Sequence, residues 1–306
     1  MAEQPTVHVV GSVNADITLP VPALPVPGST VLAGVPVRAG GGKGANVAVA
    51  AARDGARVRM IAAVGDDVEG RLSLRELAEE GVDTAGVTTV DGRATGLAVI
   101  CVDPEGENFV VVSPGANGAL VPADVERGLD RLGNRDVCAV NFEIPEAAVA
   151  AAAATVARRG GRLLVNPSPV RRFDDALLDA STTLVANAGE VAALTGEADV
   201  AQAAAALHAR GCGTVVVTLG RAGARVTSAD GAATAVPASP ACVVDTTGAG
   251  DTFAGVLAAG LTLGLPIVEA VCRAAAAAAL STQRVGARAA IPAAGATDRL
   301  LSGDSD

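Results

Sequence analysis

Apolar residues in this chain gather in short unbroken runs, and between the runs they recur at three- and four-residue spacing. An unbroken run of five to seven reads as a strand covered on both faces, and the wider spacing reads as a helix packed on such strands. The strand-like runs are residues 7–13, 57–64, 137–141, 162–166, 183–186 and 214–219. Helical patterns cover 46–53, 70–80, 145–159, 189–194 and 200–210, with Gly81 closing the second. Near the C-terminal end, Val243-Val244-Asp245-Thr246-Thr247-Gly248-Ala249-Gly250-Asp251-Thr252-Phe253 reads as a strand ending in a small-residue turn. An Ala- and Leu-rich helix follows it to about Leu263. The strand–helix alternation predicts an α/β protein: a mostly parallel sheet sandwiched by helices, with ligands beyond the carboxyl ends of its strands.

Two stretches break the alternation. Residues 17–38 are rich in Pro and β-branched side chains, and 94–114 read as a hairpin, 97–102 and 108–113, around Asp103-Pro104-Glu105-Gly106-Glu107. Together they predict a small antiparallel β lid projecting from the body, closing over a site or meeting a second copy of the chain. With no repeat and no low-complexity linker, residues 1–306 are expected to form a single domain. The tail beyond Ala294 is expected to fray.

Composition narrows the partners. A net charge of −10 disfavours nucleic acid, and the absence of Trp and Tyr with only four Phe removes most stacking platforms. No apolar run is long enough to span a bilayer, and Met1-Ala2-Glu3-Gln4-Pro5 lacks the basic start and apolar stretch of a secretory leader. Cys101, Cys138, Cys212, Cys242 and Cys272 are odd in number and lack CxxC spacing, so they read as reduced thiols of a cytoplasmic protein. His8 and His208 stand far apart, which argues against a histidine metal site or a Ser-His triad.

Two motifs carry candidate chemistry. In the C-terminal one, Asp251 sits among the bare N–H groups of a helix start, where a phosphate would bind, which suits a base beside a phosphoryl group in transfer. The same residues also fit an ordinary capped turn with an acid favoured by the helix dipole. In the other, Gly40-Gly41-Gly42-Lys43-Gly44-Ala45-Asn46 opens a helix and holds the chain's one lysine against twenty-two arginines. A compact, mobile ammonium between glycines suits a small polar ligand approached closely by backbone. A solvated lysine on a flexible loop is the plainer reading.

These runs, with Gly11-Ser12-Val13-Asn14-Ala15-Asp16, resemble the PfkB carbohydrate kinases, and within that family the chain is most similar to the ribose kinases. The likeness extends from Val7 to about Pro292 and includes Gly65-Asp66-Asp67, Gly115-Ala116-Asn117, Asn187-Ala188-Gly189-Glu190 and Thr218-Leu219-Gly220. It implies a ribokinase-like fold and transfer of the γ-phosphoryl group of ATP to the 5-hydroxyl of D-ribose. Asp251 would be the general base, and the N–H groups of Gly248, Ala249 and Gly250 an anion hole. Asn14, Asp16, Gly42, Lys43, Asn46 and Glu143 would hold the sugar. Asn187 and Glu190 would approach the Mg²⁺-bearing phosphates, with Thr218 and Gly220 bordering the nucleotide. A monovalent cation, K⁺, would lie near Asp245, Thr247, Ser281, Arg284, Gly286 and Ala290, several through backbone carbonyls. Ala290 and Ala275 depart from the family pattern, the first where a hydroxyl is common and the second where a polar residue often faces the adenine. The exposed edge of the expected lid also points to a homodimer.

Other readings remain open at this point. Deoxyribose, another furanose or ketose, or a nucleoside are alternative acceptors, and a non-catalytic sugar- or nucleotide-binding protein is a further class. Gly40-x-Gly42-x-x-Ala45 formally matches a dinucleotide fingerprint, although the preceding segment holds Pro36 and is not the first strand. No GxxxxGK[ST] occurs, since Gly44 follows Lys43.

Overall fold

A computed structural model describes residues 4–303. The chain runs β1 (Thr6–Val10), β2 (Asn14–Pro20), β3 (Val37–Gly41), α1 (Lys43–Arg53), β4 (Arg57–Gly65), α2 (Val68–Glu79) and β5 (Val82–Val90). It continues with β6 (Gly96–Val102), β7 (Asn108–Ser113), α3 (Pro122–Gly128), β8 (Val137–Asn141), α4 (Glu146–Arg159) and β9 (Arg162–Asn166). Next come β10 (Thr182–Asn187), α5 (Ala188–Thr195), α6 (Val200–Ala209), β11 (Thr214–Thr218), β12 (Ala224–Ser228) and β13 (Ala233–Val236). The last elements are α7 (Ala249–Thr262), α8 (Ile267–Ser281) and α9 (Ala296–Ser302).

Nine strands form the large sheet in the order β13-β12-β11-β10-β9-β8-β1-β4-β5, parallel except where β12 and β13 return antiparallel at one edge. Neighbouring residues of its central strands serve opposite cores. Val9, Met60, Ala62 and Ala139 pack with α1, α7 and α8, while Val10, Ile61, Ala63 and Val140 pack with α3, α4 and α6. Strands covered on both faces have no polar side, which explains their unbroken apolar runs.

The second sheet has the order β3-β2-β6-β7. Its β2/β3 and β6/β7 pairs are antiparallel, and a parallel β2/β6 pair joins them. The apolar run 7–13 therefore divides: β1 ends at Val10, and the chain crosses at Gly11–Val13 to begin β2 at Asn14 in the other sheet. Gly11 permits that crossing, because a Cβ there would lie 2.8 Å from the Cα of Gly44. Within 17–38, regular strand is confined to the two ends, and most of the stretch between Pro20 and Val37 is irregular.

Several elements differ from the pattern reading. Val243 and Val244 are exposed and form no strand, because their segment docks on the end of α8, with both Val244 and Asp245 N–H donating to the Thr282 carbonyl. The segment 82–90 forms an edge strand whose side chains are largely part-exposed, so its composition gave no apolar run. Part of the tail beyond Ala294 forms α9, whereas residues 304–306, like 1–3, lie outside the described residues. The glycine fingerprint Gly40-x-Gly42-x-x-Ala45 begins within the end of β3, an edge strand of the small sheet, where no dinucleotide crossover begins.

Candidate active site

The site lies where the carboxyl ends of the central strands meet the start of α7. Gly248 takes φ 74° at the N-cap, and a Cβ there would come within 2.8 Å of the Ala287 Cβ, so this turn requires glycine. No side chain caps α7. The N–H groups of Gly250 and Asp251 donate to no group among the described residues, whereas Ala249 N–H is engaged with the Thr246 carbonyl at 3.2 Å. Two bare amides and the helix dipole thus face outward at the first turn.

Asp251 stands beside them, buried. Its Oδ2 accepts from Asn46 Nδ2 at 2.9 Å, and its Oδ1 lies 3.6 Å from Lys43 Nζ. Close packing of α7 on α1 brings this about: a Cβ on Gly255 would meet the Ala50 Cβ at 2.6 Å, so the two helices approach backbone to backbone. Burial raises the Asp251 carboxyl above the usual carboxylate range, and the Lys43 ammonium and Asn46 amide pull it part of the way back. Lys43 itself is held protonated by Asp251, whose field outweighs the cost of burying the ammonium.

Around this centre the remaining polar groups are held by neighbours rather than left loose. Glu143 Oε2 accepts from Ser12 Oγ at 2.5 Å and from the Lys43 N–H at 3.1 Å, supplying the start of α1 with the cap that Gly42 lacks. Gly42 has φ 87°, and a Cβ on it would strike the backbone of Val13 and Asn14. Asn14 is buried with its Oδ1 accepting from Asn117 Nδ2 at 2.7 Å, which orients the amide. Asp16 Oδ1 and Asn46 Oδ1 are buried without hydrogen-bond partners. Burial pushes Asp16 up to about 6, against the opposing pull of Arg288. Buried acceptors without partners, close to Asp251, fit a ligand rich in hydroxyl groups.

One cavity opens at Asp251 and a second adjoins it. One of about 210 Å³ is lined by Lys43, Asn187, Glu190, Thr218, Gly248, Gly250 and Asp251. The other, about 720 Å³, shares Asn187, Thr218 and Gly250 and extends over Gly220, Phe253, Ala275 and Ala278. A narrow polar channel leading to a wide cleft floored by small apolar side chains suits a polyanionic chain attached to a flat heterocycle. Asn187 and Glu190 form a capping box at the start of α5: Asn187 Oδ1 accepts from Glu190 N–H, and Glu190 Oε2 accepts from Asn187 N–H. One Glu190 oxygen remains for the cavity. Of the residues expected to hold the acceptor, Lys43 alone also lines this channel.

A loop cluster adjoins the α7 turn. Asp245 Oδ1 accepts from Thr247 N–H and Oγ1, and its Oδ2 accepts from Gly286 N–H at 2.8 Å. Ser281 donates its hydroxyl to Ala278 carbonyl, Arg284 N–H reaches the Ser281 carbonyl at 3.4 Å, and Ala290 is buried in the turn Arg288–Ala290. The carboxylate therefore ties two carbonyl-bearing loops together, a hard-oxygen set that fits an alkali cation better than a transition metal.

Sequence reasoning passed over Arg288. Its buried guanidinium donates to the Gly41 carbonyl at 2.7 Å and to Glu76 at 3.2 Å, fixing the glycine run next to Asp16. Its only sequence signal was its position between Gly286 and Ala290. Ser12 and Asn117 lay within quoted motifs, but their task, orienting Glu143 and Asn14, is visible only in three dimensions.

Comparison with known proteins agrees with this geometry. The family model for pfkB family carbohydrate kinases matches residues 4–294. A ribokinase of Haemophilus influenzae is 36% identical over 292 residues, spanning 94% of this chain and 95% of that protein. The structure of Arabidopsis thaliana ribokinase complexed with ribose and ATP superposes with a TM-score of 0.89 at 31% identity, covering 97% of this chain and 98% of the other. A deoxyribokinase of Salmonella typhi is 32% identical over 82% of this chain and 84% of its own length.

Proposed function

The chain belongs to the pfkB family of carbohydrate kinases, and from that premise we propose that it is an ATP-dependent ribokinase, phosphorylating the 5-hydroxyl of D-ribose. The observation that carries the reading is Asp251: a buried carboxylate joined to Asn46 and Lys43, next to unengaged amides at the start of α7. Asp251 takes the proton of the sugar's primary hydroxyl as that oxygen attacks the γ-phosphorus in line, with no phosphoenzyme. Charge on the transferring group is met by the Gly250 and Asp251 N–H groups and by Gly248 at the turn. Asn14, Asp16, Asn46 and Glu143 hold the sugar hydroxyls, and Gly42 lets the backbone close in. Lys43 spans the acceptor and the phosphates. Asn187, Glu190, Thr218 and Gly220 border the nucleotide.

Mg²⁺ bound with ATP would supply neutralisation of phosphate charge, and K⁺, held by the Asp245 loop cluster, would supply positive charge beside the α7 turn. Glu190's spare oxygen fits the water shell of the first, and Asp245, Thr247 and the Ser281–Gly286 carbonyls fit the second. Ala290 offers no side-chain oxygen to such a cation. We assign the second sheet as a lid over the sugar, within a single-domain chain, and as the contact of a homodimer. No helix among the described residues is long and apolar enough to cross a membrane, and the five cysteines are unpaired; a cytoplasmic location fits an enzyme that draws on ATP.

The test is a coupled ADP-release assay with Mg-ATP and K⁺ across ribose, 2-deoxyribose, other furanoses, ketoses and nucleosides, read as kcat/KM. Ribose is expected to lead. A higher kcat/KM for deoxyribose would favour the activity of the Salmonella typhi relative. Saturable binding of sugar and nucleotide without turnover would make the protein a non-catalytic binder and overturn the proposal.

A further inference from the structure

The opposite end of the large sheet holds a second cleft that the kinase reading does not use. Its cavity, about 310 Å³, opens beneath the amino-terminal ends of β1, β4 and β8. Thr6, on its wall, begins β1, whereas Asn14 lies beyond the carboxyl end of that strand. The two sites are therefore separate.

Charge at this cleft runs against the rest of the molecule. In a chain of net charge −10, Arg57, Arg59, Arg131 and Arg135 surround a single cavity. Arg57, Arg131 and Arg135 make no ion pair among the described residues. The two carboxylates of the lining are already engaged by groups in the cleft wall. Asp136 accepts from Thr6 N–H and Gly133 N–H, both at 2.8 Å, and faces His8 Nε2 at 3.3 Å. Asp83 accepts from Ala85 N–H at 2.9 Å and stands 3.8 Å from Arg59.

A second observation points independently to a ligand. His8 is only 2% exposed and lines the cavity, yet its Nδ1 has no hydrogen-bond partner, and neither has the buried Nε of Arg59. With Nε2 on Asp136, Nδ1 is left to accept from a ligand hydroxyl in the neutral ring or to donate to a ligand oxygen in the protonated one. Buried polar groups without partners are rare in folded proteins and call for one.

We propose that this cleft is a second anion site that binds a small phosphate-bearing molecule. Guanidinium forks match phosphate oxygens in pairs, and the cavity is several times the volume of a phosphate ion, leaving room for an organic part. The proposal does not depend on the kinase reading.

Isothermal titration of inorganic phosphate into the full chain, saturated with ribose and a non-hydrolysable Mg-ATP analogue so that the γ-phosphate position at the start of α7 is also filled, tests it directly. One saturable site is expected. The double substitution Arg131→Gln with Arg135→Gln should weaken it by about ten-fold or more, while ribose phosphorylation stays at the wild-type rate. Asp251→Asn should leave phosphate uptake unchanged. Glycerol 3-phosphate titrated in the same way separates an ester from free phosphate: tighter binding assigns the ester, and equal binding assigns the ion. Should the double variant fail to fold, Arg57→Gln, on a different element, takes its place. Absence of saturable uptake, equal affinity in the arginine variants, or loss of uptake in Asp251→Asn would each overturn the proposal.

Discussion

Asp251 is buried and Asp16 largely so, both carboxyls are raised above the ordinary range by that burial, and each is drawn back by a different cation. Asp251 has a cation within 3.6 Å, so it can ionise at neutral pH and still hold its proton-accepting strength. Asp251→Asn keeps the size and removes the base. Turnover is expected to fall roughly 10²–10⁴-fold with ribose and nucleotide binding little changed, and the acid limb of the kcat/KM profile should vanish; near-normal turnover would remove Asp251 from the base role. Asp16 has the weaker compensation, from Arg288 at longer range, and rests at about 6. A folded-state pKa raised above the unfolded 3.8 means the folded protein binds the proton more tightly. The stability this confers is complete below the unfolded value and is lost as pH rises through about 6. Asp16→Asn removes the charge that burial penalises. Its unfolding free energy should exceed the wild type's by about 1–3 kcal/mol above that window and by little at its acid end, while the ribose KM rises by about ten-fold or more. Equal stability on the alkaline side, or an unchanged KM, would refute the assignment of Asp16 as a strained acceptor for sugar hydroxyls.

At the scale of elements, the glycine run before α1 matters because β3 delivers it against β2. Asn14 pairs with Gly41 and Asp16 with Ala39 in that ladder. A Cβ on Gly41 would overlap the Asp16 carboxylate, and its carbonyl is the anchor for Arg288. Gly41→Ala is therefore expected to displace Asp16 and raise the ribose KM by about ten-fold, leaving the nucleotide KM within about two-fold. A nucleotide defect of equal size would show that the strand carries more than the acceptor. The same run shows what a sequence makes legible. Buried strands 137–141 and 162–166 match the structure residue for residue, and the hairpin 97–102/108–113 matches but for Gly96 at its start, because burial on both faces or a tight turn leaves a local signature. The segment 7–13 did not show where it changes sheets, since an apolar run reads alike in either. Val243-Val244 has strand composition, but its partner is a helix end, and pairing partners are not written locally. Short motifs marked Asp251, Lys43 and Asn46, whereas Arg288 reaches Gly41 across 247 residues of chain and no local pattern announces it.

For the molecule as a whole, the small sheet presents a problem that its own chain does not solve. Every residue of β7 is exposed, and Phe109, Val110, Val111 and Val112 are each about half accessible, at 47%, 48%, 55% and 49%. Side chains alternate along a strand, so apolar surface is bare on both faces of this edge, beside a row of unpaired backbone groups. The net charge of −10 keeps copies apart at long range but does nothing for a flat apolar edge at contact. Covering it with the same edge of a second copy, about a two-fold axis, is the arrangement that closes without leaving another edge exposed. In the order β3-β2-β6-β7, that contact is separated only by β6 from the strand bearing Asn14 and Asp16. Dimerisation and sugar binding should therefore be coupled. Sedimentation velocity at micromolar concentration is expected to show a dimer. Val111→Lys, which places a charge on the bare edge, should yield a monomer that stays folded, with the ribose KM raised several-fold and the nucleotide KM little altered. A wild-type monomer, or a monomeric Val111→Lys with an unchanged ribose KM, would separate the edge from the site and leave β7's apolar surface to some other use.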